Sequence, residues 1–255
     1  MNGIFVIARM SFIEARRNRI TWSLVFFCLV LVLTSFLFQE VTIASFDRIV
    51  RDVGMAGINI FGVMLSVFLG VSVVTREIER RSVYVLLAKP LTRVQYLLGK
   101  LLGVWLTVGA CLVLMMVAFI FETTVYRGPI APVMFQAFWL LLVELLVLAS
   151  FAILASTFTS SVMSAFVTLS LYVIGHLSED LYFFGRKSAS PVMRVLGEVL
   201  FFVLPNLERL NLKGQVSLLE PVGSGQVVGA TLYGLVYVAC FMGLAIAVFI
   251  RRDLK

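Results

Sequence analysis

Long apolar stretches alternate along the chain with short charged ones. Residues 55–75 and 101–121 each run 21 positions without Asp, Glu, Lys, Arg or His. A helix rises about 1.5 Å per residue, so a run of that length crosses the ~30 Å hydrocarbon core of a bilayer. The same pattern predicts six spans: 20–38, 55–75, 101–121, 133–157, 161–177 and 226–250. Charge or proline bounds most of them. Only 133–157 holds an acid, Glu144, and 161–177 is the shortest. The expected fold is all-α and polytopic, one domain over residues 1–255.

Three connecting segments have patterns of their own. In 1–19, Ile4, Ile7, Ala8, Phe12 and Ala15 recur at helical spacing while Arg9, Arg16 and Arg17 form a polar side. That is a basic amphipathic helix suited to an anionic membrane interface. The span after it is longer than the ~7–15 residues of a signal-peptide core and is read as retained. In 178–225, the run VLGEVLFFVL at 195–204 is apolar except for Glu198 and stops at Pro205. Ten residues are too few to cross, so a re-entrant dip into the outer leaflet before the last span is expected.

The third segment, 76–100, reads REIERRSVYVLLAKPLTRVQYLLGK. Glu77 and Arg81 lie i, i+4 on a first helix, which Pro90 breaks at Lys89. Thr92 and Gln95 form a capping box for a second helix, with Leu91 and Tyr96 spaced as its hydrophobic staple. That helix runs into the third span through Gly99 and Lys100. A helix–turn–helix is more than a plain connector requires.

Composition excludes a water-soluble protein. The chain is 61% hydrophobic and 14% charged, with a mean hydropathy of +1.04; soluble domains carry about 25% charged residues. The pI near 9.6 does not point to nucleic acid, because the positive charge is confined to particular loops. With the N-terminus inside, the inner segments hold thirteen Lys and Arg and four acids, net +9, and the outer segments eight and nine, net −1. The positive-inside rule then puts both termini and 76–100 in the cytosol. Cys28, Cys111 and Cys240 lie in separate spans and suggest neither a disulfide framework nor a metal site.

Within the spans, Glu144 needs a partner or a proton, since a charge at mid-bilayer costs about 2.5–3.5 kcal/mol. Its own helix offers only Leu140, Leu141, Val147 and Leu148 one turn away. It lies on a substrate path, at a dimer contact, or hydrogen-bonded to a Ser or Thr of a neighbouring helix. Gly62, Ser66 and Gly70 recur every four residues, a stripe that lets another helix approach closely, within the subunit or across a dimer. His176, Glu179 and Asp180 share a helix face as a metal or catalytic site would, but the helix is expected to fray there. The ten methionines are scattered and suit packing.

The order Glu77, Glu79, Leu86, Leu87, Pro90, Arg93, Gly99, Lys100 resembles the first cytosolic loop of ABC-2 type permeases. The six spans, the amphipathic N-terminal helix and the re-entrant run resemble the same family, most of all the branch containing the nitrous-oxide-reductase maturation permease. Where many members carry Gly-Thr, Arg81-Ser82 stands here. The resemblance implies the permease subunit of an exporter in a bacterial plasma (inner) membrane, a homodimer or a heterodimer with a second permease. It implies two copies of a separate ATPase, which hold ATP and Mg, and no cofactor in this chain. The ATPase would be contacted by Glu77, Glu79, Arg80, Arg81, Leu86, Leu87, Pro90 and Arg93. In keeping with that, the only Gly-Lys, Gly99-Lys100, has Val94 in place of the first glycine of a Walker A loop. Two alternatives are a membrane-embedded enzyme using His176, Glu179 and Asp180, and an ATP-independent secondary transporter, although no internal repeat is visible.

Overall fold

The computed structural model describes residues 3–17, 22, 25, 26, 29, 33, 46–79, 93–125, 129–187 and 191–251. Among these every regular element is helical. They are α1 (Gly3–Arg17), α2 (Phe46–Glu79), α3 (Arg93–Val125), α4 (Pro132–Ser156), α5 (Ser161–Lys187), α6 (Pro191–Val203), a 3-10 turn (Leu207–Leu210), α7 (Lys213–Leu218) and α8 (Ser224–Arg251). Five of these, α2, α3, α4, α5 and α8, contain stretches long and apolar enough to cross a membrane. Of the predicted first span, only Trp22, Val25, Phe26, Leu29 and Leu33 are described, each helical. The rest of 20–38, and residues 80–92, lie outside the described residues.

The helices outrun the apolar spans. α2 starts nine residues before position 55, and α5 continues ten residues past 177. Polar side chains end an apolar run, yet they leave the backbone hydrogen-bond ladder intact. The fraying expected at 176–180 is therefore absent: His176, Glu179 and Asp180 stand on continuous helix. Pro132 opens α4, where its missing N–H costs no hydrogen bond.

α4 is the hub. Its buried residues run from Val133 to Ser156 and cover most of the helix, leaving a stripe through Phe135 and Trp139 near its start half-exposed. α2 lies on it through the small-residue stripe. A Cβ at Gly62 would meet Leu145 at 2.8 Å, and one at Gly70 would meet the Ala152 Cβ at 2.8 Å. Ser66 Oγ, between them, donates to the Leu145 carbonyl at 2.6 Å. On another side α8 brings Gly234 against Val143, and Phe241 sets its ring edge to the Phe151 ring.

Elsewhere α1 packs along α3, with Ala8 and Ser11 against Gly103. Tyr96, near the start of α3, stacks on Phe249, near the end of α8. So α1, the start of α3 and the end of α8 share one end of the bundle. Gly54 touches the Phe119 ring, which sets the start of α2 beside the end of α3, at the opposite end.

Gly70→Val should lower the thermal unfolding midpoint of the detergent-purified protein, because overpacking a close helix contact costs about 1–3 kcal/mol. Gly229→Ala, where nothing lies within 4 Å of the added methyl group, should leave it unchanged or raise it. Equal midpoints for the two variants would mean that α2 and α4 do not meet at Gly70.

Candidate functional site: a polar cluster within the helix bundle

Glu144 is the thirteenth of the 25 residues of α4 and is 1% exposed. Three other elements bring polar groups to it. His176, mid-way along α5, places Nε2 3.7 Å from Glu144 Oε1. The same nitrogen is 4.0 Å from Glu208 Oε2 of the 3-10 turn. From α2 comes Asn59, also 1% exposed, whose Oδ1 accepts from the Tyr172 hydroxyl at 2.6 Å. Tyr172 and His176 are one turn apart on α5, with ring centroids 4.6 Å apart.

Several of these atoms have unused hydrogen-bonding capacity. Glu144 Oε1, His176 Nε2 and Asn59 Nδ2 are buried without a hydrogen-bond partner. Buried polar groups are ordinarily paired, and each one left unmade costs about 1–3 kcal/mol. Three such atoms together define a site.

A strap of non-spanning chain supplies the remaining charges. Pro205 ends the run of α6, and two asparagines then shape the turns. Asn206 Oδ1 accepts from the Glu208 N–H at 3.1 Å and its Nδ2 donates to Glu179 Oε1 at 2.7 Å. Its own N–H donates to the Tyr233 hydroxyl of α8. Asn211 repeats the device: Oδ1 accepts from the Lys213 N–H, and Nδ2 donates to both carboxylate oxygens of Glu208 at 3.0 Å. These are side-chain caps of the kind asparagine favours. Glu208 is thereby aimed at His176, and Lys213 enters the field of Glu144 and Glu208. Burial pushes the Lys213 ammonium below its usual pKa, and the two carboxylates act against that shift. At the far side of the strap, Arg48 Nε donates to Ser217 Oγ and Arg51 to the Ser217 carbonyl, pinning α7 to the start of α2.

The residues singled out from the sequence divide into groups. Gly62, Ser66 and Gly70 face α4 within the subunit. Glu144 meets polar groups of α5 and α2 rather than a Ser or Thr hydroxyl. His176 turns to Glu144, Glu179 binds Asn206 and Asp180 is exposed, so this trio does not converge. Backbone helix reaches Glu77 and Glu79 at the end of α2, and Arg93 opens α3. Arg80, Arg81, Leu86, Leu87 and Pro90 lie outside the described residues. Asn59, Tyr172, Asn206, Glu208 and Lys213 were missed in the sequence reading. An Asn inside an apolar span, and two Asn five residues apart after a proline, were the available signals.

Five bilayer-length apolar helices among the described residues, packed around a buried polar cluster, make this an integral membrane protein. The family it belongs to is the ABC-2 family transporter proteins, whose model matches residues 5–254. No curated protein matches the chain.

Tyr172→Phe should destabilise the protein by about 1–3 kcal/mol, because Asn59 Oδ1 is then buried without a donor. Asn206→Ala should cost a similar amount, through the lost cap and the lost bond to Glu179. Thermal unfolding in detergent checks both, and a change at Asn206 alone would argue that the Tyr172–Asn59 bond is not formed.

Proposed function

We propose that the chain is the membrane-embedded permease subunit of an ATP-driven exporter. Two copies of a separate ATPase would dock on 76–100 and supply the ATP and Mg. Family membership across residues 5–254 is the observation that carries this reading. Permeases of that family normally work with an ATPase partner.

The bundle geometry supports it. The start of α3, α1 and the end of α8 meet at one end, with Tyr96 stacked on Phe249. α2 runs antiparallel to α3, so Glu79 reaches the same end. By the positive-inside rule that end, with both termini, would face the cytosol, and the membrane we propose is a bacterial plasma membrane. Force applied between Glu77 and Arg93 would therefore reach α2 and α3 directly, and α4 through the Gly62–Ser66–Gly70 contact. In this reading α6 and the strap would be the outer, re-entrant connection; α6 lies along α5 where Gly185 and Gly197 approach closely. The working unit would be a dimer, with the same chain or with a second permease.

Co-purification tests this. An ATPase subunit should be retained by the wild-type chain, and the double variant Glu77→Lys, Glu79→Lys should reduce its retention by about tenfold or more, the scale of losing close opposite-charge contacts. No ATPase with the wild type, together with no effect of the charge reversal, would end the proposal.

A further inference from the structure

His176 Nε2 and Glu144 Oε1 face one another with no hydrogen between them unless a proton is added. His176 Nδ1 lies 3.2 Å from the Tyr172 carbonyl oxygen, one turn back on α5. A carbonyl only accepts, so Nδ1 carries a hydrogen and donates it. In a neutral imidazole that leaves Nε2 with a bare lone pair. Opposite it, at 3.7 Å, is Glu144 Oε1, which has no hydrogen-bond partner, although the Asn59 amide lies beside the same carboxyl. A carboxylate oxygen and a bare ring nitrogen are both acceptors, and two acceptors buried face to face repel. One proton between them resolves this, as imidazolium with carboxylate or as imidazole with carboxylic acid. The separation is about 0.7 Å beyond ordinary hydrogen-bond distance, within reach of side-chain adjustment.

The surrounding charges favour the same occupancy. From α2 the pair is faced by the neutral Asn59, from the 3-10 turn by Glu208, and from α7 by Lys213. Tyr172 is the further titratable group of α5 beside it, and Glu179 is turned away to Asn206. On α8, Tyr233 accepts from Asn206 and lies under Arg209. Two carboxylates and one ammonium leave a charge of −1 in a low-dielectric bundle, where unbalanced charge is costly. A single proton on the Glu144–His176 pair brings the cluster to neutrality. With the proton on the ring it also gives Nε2 a positive character toward Glu208, 4.0 Å away on the strap.

We propose that Glu144 and His176 together bind one exchangeable proton in the middle of the bundle, and that this proton fastens the 204–220 strap to α4 and α5 through Glu208. Release takes the proton from the pair to solvent on the Glu208 side, where that carboxylate is 45% exposed. The cluster then carries a charge of −1, His176 and Glu208 no longer attract, and the strap loosens as pH rises.

His176 is the only histidine in the chain, so one imidazole can be followed without assignment. The full-length protein, purified through a histidine-free tag and labelled with 13C,15N-histidine, would be placed in lipid nanodiscs for NMR across a pH series. The expected result is an Nδ1-protonated ring at every pH, with a strongly downfield proton shared with Glu144 that is lost on raising pH and absent in E144Q. The Nε2-protonated neutral tautomer in the wild type, or a spectrum that E144Q leaves unchanged, would overturn the proposal. Hydrogen exchange tests the strap: protection factors in 204–220 should fall about tenfold as the shared proton leaves. E208Q should keep the downfield proton but lose this pH dependence. Strap protection that stays constant through the imidazole titration, in a sample showing the shared proton, would sink the fastening role. Neither readout needs an ATPase partner, so failure here is distinct from failure of the exporter reading.

Discussion

A carboxyl group in the middle of a spanning helix has no water to solvate it, and the architecture around Glu144 answers that constraint. Its own helix gives only leucines and valines within a turn. The polar groups must come from other elements, and each arrives by a different route. Asn59 is carried in by α2, His176 by α5, and Glu208 and Lys213 by chain that does not span. Irregular backbone is admissible at such a place only if its own N–H and C=O groups are satisfied. Asn206 and Asn211 make that possible, since each accepts a backbone N–H two residues on.

The rest of the bundle is held by a different physics. Between α2 and α4 there is little but close contact: two glycines, one serine and one side-chain bond to a carbonyl. In lipid there is no hydrophobic drive between helices, so small residues that permit backbone approach are what bring them together. Close packing of this kind is stiff, because any shift forfeits many small contacts at once. α4, buried over most of its surface, therefore ties the end of the bundle near Tyr96 and Phe249 to the level of Glu144.

Five of the six expected spans coincide with long apolar helices, because long uncharged runs admit few other structures. Their ends were less legible in the sequence. Residues 178–187 look like loop by hydropathy, yet α5 continues through them, since helix formation depends on backbone hydrogen bonds that hydropathy does not report. Glu144 was recognisable as a residue in need of a partner, but the partner's identity depends on which faces of α2 and α5 turn toward α4. That is a matter of three-dimensional packing between positions 32 to 85 residues apart. The strap was the hardest to foresee. Residues 195–204 were expected to be the membrane-active part of the connection, whereas the groups that reach the cluster come from 206–213, where apolar periodicity carries no signal.

The contrast between the two kinds of contact bears on where such a molecule could open. Moving α2 against α4 would break an interface with no room for intermediate positions. The strap is attached by both kinds of contact: Leu207, Leu210 and Val216 are buried, with Leu207 tight against Gly175 of α5, and Glu208 to His176, Asn206 to Glu179, and Arg48 and Arg51 to Ser217 add polar contacts. Polar contacts of this type can exchange partners or water one at a time, at a net cost of about 0.5–1.5 kcal/mol for each hydrogen bond. Sub-global motions are drawn from the least stable parts of a structure. On that ground the strap's polar contacts would exchange before the α2–α4 seam yields, while Leu207, Leu210 and Val216 keep the strap seated on the bundle.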